Sequence, residues 1–273
     1  MRQIDIRELK LIQIEILDQF DAFCKKNNIH YWLDYGTLLG AVRHGGYIPW
    51  DDDIDIGMLR EDYSIAEKLF NEQTDRRYKL FTPQNNPDHR YPFGKLVRTD
   101  TVLLEYGSEG IRSSVYVDVF PYDNAPDDEH EKQRMFKKRD LLGRIRRLQL
   151  PMRDGMTQPK KLMYRLGAAF LSGMPQSRVN RMLDKNAKKY ENKYNEFVCD
   201  FADPYDTRYL TIPRSLFENF IEIEFEGKKY PAPAAYDTWL KAYYGNYMQL
   251  PPIEEQKSHH VFEAFYLDSD HNI

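Results

Sequence analysis

Residues 50–56 read Trp50-Asp51-Asp52-Asp53-Ile54-Asp55-Ile56, with four acids in five positions. The alternation from Asp53 to Ile56 predicts a strand with Asp53 and Asp55 on one face. Like charges on one face destabilise a strand. A solvated acidic turn would explain the run, but Trp50, Ile54 and Ile56 set the acids beside residue types that are usually buried. A divalent cation with oxygen ligands would offset the repulsion. An EF-hand needs glycine at its sixth position, and counting from Asp51 that position is Ile56. A glycosyltransferase Asp-x-Asp clamp follows a nucleotide-binding unit of about a hundred residues, whereas only residues 1–50 precede this run. The remaining reading is a nucleotidyltransferase-type palm: a glycine turn opening a helix, then an Asp-x-Asp strand, then a third carboxylate on a neighbouring strand.

The flanking sequence supplies those parts. Residues 37–44, Thr-Leu-Leu-Gly-Ala-Val-Arg-His, predict a short helix entered through Gly36 and Thr37 and broken at Gly45-Gly46. Backbone N–H groups at such a helix start can meet a phosphate. Arg43 could pair with a phosphate or with the acidic strand. Downstream, Val115-Tyr116-Val117-Asp118-Val119-Phe120 is a strand pattern with a single acid. A buried acid needs a partner. For Asp118 that is either a cation shared with Asp53 and Asp55 or a salt bridge in the core. Asp123, after Pro121, reads as a cap or turn residue. Lys95 and Arg98 sit three apart and so face opposite ways on a strand; Lys95 is expected to face a diphosphate.

The whole chain has 273 residues, with 39 Lys plus Arg against 43 Asp plus Glu, a net charge of −4. That balance excludes a broadly polybasic nucleic-acid binder. At 41% hydrophobic residues the chain is too apolar for disorder. Its mean hydropathy of −0.72 is too polar for an integral membrane protein. No apolar segment follows Met1, so no signal peptide is expected. Two cysteines, Cys24 and Cys199, make no disulfide framework and suit a reducing cytoplasm.

Asp5 and Glu8 form a capping pattern ahead of an apolar face at Leu9, Ile12, Ile16, Phe20 and Phe23, a helix ending at Asn27-Asn28. Strands are expected at 29–35, 78–81, 93–99, 101–106 and 114–120, and helices at 60–72, 128–148, 160–173, 176–193 and 234–244. Glu226-Gly227 marks a hairpin between 220–225 and 228–230. The expected fold class is α/β (α+β), a mixed sheet core in about residues 20–125 with helical and hairpin additions in 126–273, forming one domain.

Tyr35-Gly36-Thr37-Leu38-Leu39-Gly40-Ala41-Val42-Arg43-His44, the run Ile48-Pro49-Trp50-Asp51-Asp52-Asp53-Ile54-Asp55 and the stretch Asp118-Val119-Phe120-Pro121 resemble the LicD family. Tyr244-Gly245-Asn246-Tyr247-Met248, Leu250-Pro251-Pro252 and His259-His260 resemble its C-terminal part. The family comprises bacterial phosphocholine transferases and is related to fukutin-type proteins. The resemblance covers residues 20–262 and implies a nucleotidyltransferase-like fold. It implies transfer of phosphocholine, or a related phospho-alcohol, from CDP-choline or another CDP-alcohol to a sugar hydroxyl. The acceptor would be a glycan, teichoic acid precursor or lipid-linked oligosaccharide, and CMP would leave. Asp53, Asp55 and Asp118 would be the catalytic acids and the ligands of Mg²⁺ or Mn²⁺, with Gly36, Thr37, Arg43 and Lys95 on the donor. Asp51 and Asp52 would stand behind the metal or face the acceptor.

A choline head group is expected among aromatic faces, for which Trp32, Tyr35, Trp50 and Tyr122 flank the motifs. His259 and His260 would serve a metal or phosphate, or lie on the surface. The basic helix at 132–147 would meet an anionic acceptor at the membrane face or present a solvated surface. The expected setting is cytoplasmic, with peripheral contact at the inner membrane face. The rival readings are nucleotidyl transfer with pyrophosphate release, and a non-catalytic relic of the fold.

Overall fold

The computed structural model describes residues 1–106, 111–149, 158–171, 173–204, 206, 208–258 and 261–267. In chain order the elements are β1 (Arg2–Ile4), α1 (Ile6–Asn27), β2 (Trp32–Leu33), α2 (Tyr35–His44), β3 (Asp55–Leu59), α3 (Arg60–Gln73), β4 (Tyr78–Phe81), β5 (Gly94–Tyr106) and β6 (Ile111–Ala125). Then come α4 (Glu129–Leu148), α5 (Gln158–Leu171), α6 (Gln176–Ala187), β7 (Phe197–Cys199), β8 (Ile212–Pro213), β9 (Phe220–Phe225), β10 (Lys228–Pro233), α7 (Tyr236–Tyr244) and β11 (Val261–Tyr266). The fold is the expected mixed α/β class.

Local chemistry sets many of these bounds. Asp5 caps α1 by accepting from the Glu8 N–H at 2.8 Å. Glu8 itself reaches out to Arg2, so only half of the capping box forms. Leu9, Ile12, Ile16, Phe20 and Phe23 make the buried face of α1, and Asn28 ends it in the left-handed region. The hairpin of β9 and β10 turns at Glu226-Gly227, both at positive φ.

The main sheet runs β1-β11-β5-β6-β3-β2, with β4 beside the start of β5 and β7–β8 continuing from the end of β6. It is mixed: β3 lies parallel to β6, and the other pairs are antiparallel. Strands from both ends of the chain join it, so the sheet extends beyond the expected 20–125 core. The sequence reading contained neither β1 nor β11. It also placed two strands where β5 is one, bent at an irregularity between Arg98 and Leu103. There the Thr101 Oγ1 accepts the Val115 N–H at 2.9 Å, replacing a missing ladder bond.

Asp123 is not a cap. It lies on β6 and accepts two hydrogen bonds from Arg60 at 2.7 Å each, and Arg60 also reaches Asp184 at 3.2 Å. This buried cluster joins the start of α3 to β6 and α6. Both cysteines are free and buried. Among the described residues no helix is long and apolar enough to cross a membrane.

Asp34 is a fully buried acid that accepts from three different elements. Its Oδ1 caps α2 through the Tyr35 N–H at 2.9 Å and accepts the Trp239 Nε1–H at 2.8 Å. Its Oδ2 accepts the Tyr122 O–H at 2.7 Å. Burial outweighs these donors and pushes its pKa from 3.8 up to about 6. The folded state therefore holds the proton more tightly than the unfolded chain. Stability through this group falls as pH rises from 3.8 to about 6, by on the order of 3 kcal/mol. Asp34→Asn keeps both Oδ1 contacts. It is expected to flatten the pH dependence of Tm in that window relative to wild type, as read by thermal melts at pH 4, 5 and 6.5.

Candidate active site

The helix α2 and the loop 45–54 set the acids in place. Asn28 to Asp34 brings the chain to β2, and Asp34 turns it into α2, with Gly45 capping the other end. The loop returns across α1, where Gln13 Nε2 donates to the Asp52 carbonyl at 3.0 Å and Gln13 Oε1 accepts from the Tyr47 O–H at 2.9 Å. The strand β3 begins at Asp55, so Asp53 lies in the loop ahead of it and not beside Asp55 on a strand. Two bonds fix Asp55: its N–H donates to Thr37 Oγ1 at 2.8 Å, and its carbonyl accepts the Asp34 N–H at 3.0 Å. Thr37 is buried. It was expected at a phosphate, and the structure shows its hydroxyl oxygen holding the start of the acidic strand.

Sheet register then brings three charged residues into one row. Asp55 on β3 is the partner of Asp118 on β6, which is the partner of Lys95 on β5. Lys95 Nζ lies 2.6 Å from Asp118 Oδ1. It also sits 3.2 Å from the centre of the Tyr116 ring and 4.1 Å from that of Tyr91. The lysine expected at the diphosphate is thus 4% exposed and engaged with the acid. Asp118 is the salt-bridged core acid of one sequence reading, and it lies beside Asp55 in the register.

Asp51, Asp52 and Asp53 place carboxylate oxygens within 4.8 Å of one another. Asp52 is buried and accepts from the Ser258 Oγ–H at 2.6 Å. Burial first, then Asp53, Asp118 and Asp51, pushes the Asp55 carboxyl well above the ordinary carboxylate range. Carboxylates that discourage one another's charge, offering only hard oxygen donors, fit a Mg²⁺- or Mn²⁺-type ion.

The acids open onto a cavity of about 530 Å³. Asp51, Asp53, Asp55 and Phe120 lie on one side, and Gly36, Leu39 and Arg43 of α2 on another. A Cβ on Gly36 would stand 2.8 Å from Asp51 Oδ2, so a larger residue there would push the Asp51 carboxylate aside. Arg43 donates to the Tyr247 carbonyl at 2.9 Å while lining the cavity. Tyr35 and Trp50 reach it; Trp32 and Tyr122 do not, being packed in the core around Phe217.

The sequence reading missed several lining residues. Tyr243, Tyr244 and Tyr247 form an aromatic wall from the end of α7 onward. The aromatic run at 243–247 was their visible signal. Asp203 also lines the cavity. Burial and Asp206 push it up to about 7, against the pull of Arg139 and Arg146. Its signal was the three-residue spacing of Asp200, Asp203 and Asp206. The basic helix α4 is not simply a solvated face. Arg139 and Arg146 are buried, and Arg139 donates to the Asp206 carbonyl at 2.6 Å. Lys137, Lys138, Arg144 and Arg147 remain exposed. His259 and His260 lie outside the described residues.

The LicD/FKTN/FKRP nucleotidyltransferase domain matches residues 28–154. Lipopolysaccharide cholinephosphotransferase LicD from Haemophilus influenzae is 31% identical over 279 residues, covering 98% of this chain and 100% of that protein. The chain belongs to the LicD family. It is a phosphotransferase, as are the relatives named for such an activity. Human ribitol 5-phosphate transferase FKRP is 54% identical over 41 residues, 15% of this chain and 8% of that one. The yeast mannosyltransferase regulator 4 is 38% identical over 53 residues, 4% of its length.

Two substitutions test this arrangement. Lys95→Met leaves the Asp118 carboxylate without its ammonium partner and is expected to cost about 3–5 kcal/mol, read as a lower denaturant midpoint. Thr37→Val removes the acceptor of the Asp55 N–H and is expected to cost about 1–3 kcal/mol by the same measurement.

Proposed function

We propose that this LicD-family enzyme transfers phosphocholine, or a related phospho-alcohol, from a CDP-linked donor to a sugar hydroxyl of a cell-surface glycan or teichoic acid precursor. The observation that carries the reading is the Asp55–Asp118 register at an acid-lined, tyrosine-walled cavity. It occurs in a chain similar along its whole length to a lipopolysaccharide cholinephosphotransferase. Asp53, Asp55 and Asp118 would hold Mg²⁺ or Mn²⁺, with Asp51 beside them. When bound, such an ion neutralises diphosphate charge and lowers the pKa of an acceptor hydroxyl.

Phosphoryl transfer asks the chain mainly for positioning and charge. The acceptor oxygen forms a bond to the phosphorus that bears the head group. The bond from that phosphorus to the oxygen of CMP breaks, and its electron pair leaves with CMP. The hydroxyl proton passes to a carboxylate, either Asp118 beside Asp55 or Asp203 of the cavity lining. Arg43 and the N-terminal turn of α2 at Gly36 would face the donor phosphates. Tyr35, Trp50, Tyr243 and Tyr244 suit a quaternary ammonium, whose charge is attracted to aromatic faces. The proposed setting is the cytoplasm, with the exposed cations of α4 near the inner membrane face.

CMP release from CDP-choline, with a glycan extract as acceptor, tests the reading. Release is expected to require Mg²⁺ or Mn²⁺. Asp55→Asn and Asp118→Asn should each lower it at least about 100-fold, the scale for removing one electrostatic contact from a developing charge. Pyrophosphate in place of CMP would indicate nucleotidyl transfer. Tolerance of both substitutions would indicate a non-catalytic relic.

A further inference from the structure

We propose that a second pocket, across the Lys95–Asp118 pair from the donor cavity, is the acceptor subsite and takes a phosphate-bearing saccharide. The proposal rests on the transferase reading above. The pocket measures about 580 Å³ and contains Lys95, Val97 and Thr99 of β5. These residues follow one another at two-residue steps, so they share a sheet face. Lys95 is the register partner of Asp118, and Asp118 of Asp55, so that face also carries the acidic row. The two cavities therefore open on one side of the sheet, with the row between them. Their common wall is aromatic. Phe120 of the donor cavity packs on Phe93 at 4.5 Å between ring centres, and Phe93 on Tyr91 of the second pocket at 5.5 Å.

The reaction geometry needs such a second opening. In phosphoryl transfer the attacking and leaving oxygens lie roughly in line on opposite sides of phosphorus. A donor seated in the first cavity leaves the attacking side to whatever enters from beyond Asp118.

The lining chemistry selects the occupant. Arg90 and Arg112 are exposed and line the pocket, whose lining holds one acid, Asp88. His89 adds no charge, because burial pushes it down to about 4. The excess is positive, and the guanidinium fork matches phosphate oxygens. Hydroxyls are present on Thr99, Ser113 and Ser114. Tyr91 contributes an aromatic surface of the kind that sugar rings pack on. Together these suit a sugar ring carrying a phosphate.

The probes are glucose 6-phosphate and glucose, followed by saturation-transfer NMR on the full chain with Mg²⁺ present. Glucose 6-phosphate is expected to bind, glucose to bind at least about ten-fold more weakly, and CDP-choline to leave the sugar phosphate bound. Arg112→Ala should weaken glucose 6-phosphate about ten-fold, the worth of one charged hydrogen bond. Its effect on CDP-choline affinity should be at least five-fold smaller. Ser114→Trp, which fills the pocket, should do the same if Arg112→Ala fails to fold. Displacement of the sugar phosphate by CDP-choline, equal binding of glucose, absence of binding, or equal losses on both ligands would each overturn the subsite. CMP release by wild type with a glycan extract is measured alongside. Release together with any of those four results removes the subsite and leaves the transferase, whereas no release with any CDP donor removes the transferase reading itself.

Discussion

A single buried carboxylate holds the site together. Asp34 receives donors from α2, α7 and β6, and its own N–H reaches the carbonyl of Asp55. A charge-capable group this deep is stable only when its lone pairs are met. Moving any one of the three elements would leave the carboxylate short of a donor and so carries an energetic penalty. The helix start that lines the cavity, the strand that carries Asp55 and the helix leading to the tyrosine wall are therefore tied together through one residue, by its side chain and its backbone N–H.

The acids are held in place by backbone structure. Asp55 and Asp118 face the same way because parallel neighbours in register must, and Lys95 joins them by the same rule on the next strand. Pleat geometry, not flexible side chains, sets the spacing of the row. The sheet also bears the electrostatic cost. Lys95 offsets Asp118, while Asp51, Asp53 and Asp55 remain crowded beside the cavity, a high-energy arrangement that a bound cation would relieve.

What the sequence revealed was mostly local. The caps at Asp5 and Gly45, the face of α1 and the turn at Glu226-Gly227 depend on neighbours within a few residues, and all appear where expected. The acid pair Asp55 and Asp118 was legible because each stands out within its own strand pattern. The partners of those residues were not. Lys95 looks like any strand lysine until the β5–β6 register is known, and Asp123 looks like a turn residue until Arg60 arrives from 63 positions away. The short edge strand β1 has too few residues to show alternation, and its partner β11 lies at the other end of the chain. Asp203 and the tyrosines of 243–247 acquire meaning only once the end of α7 and the loops that carry the others are folded over the sheet.

That late closure bears on biosynthesis. The acidic row is encoded by residue 118, yet the aromatic wall comes from 243–247 and the hydroxyl on Asp52 from Ser258. At about 5–20 residues per second on the ribosome, roughly 6 to 28 seconds separate the two. During that interval a crowded set of carboxylates is present without its wall. The cavity is therefore completed only after the last third of the sequence has been made and has folded back over the sheet.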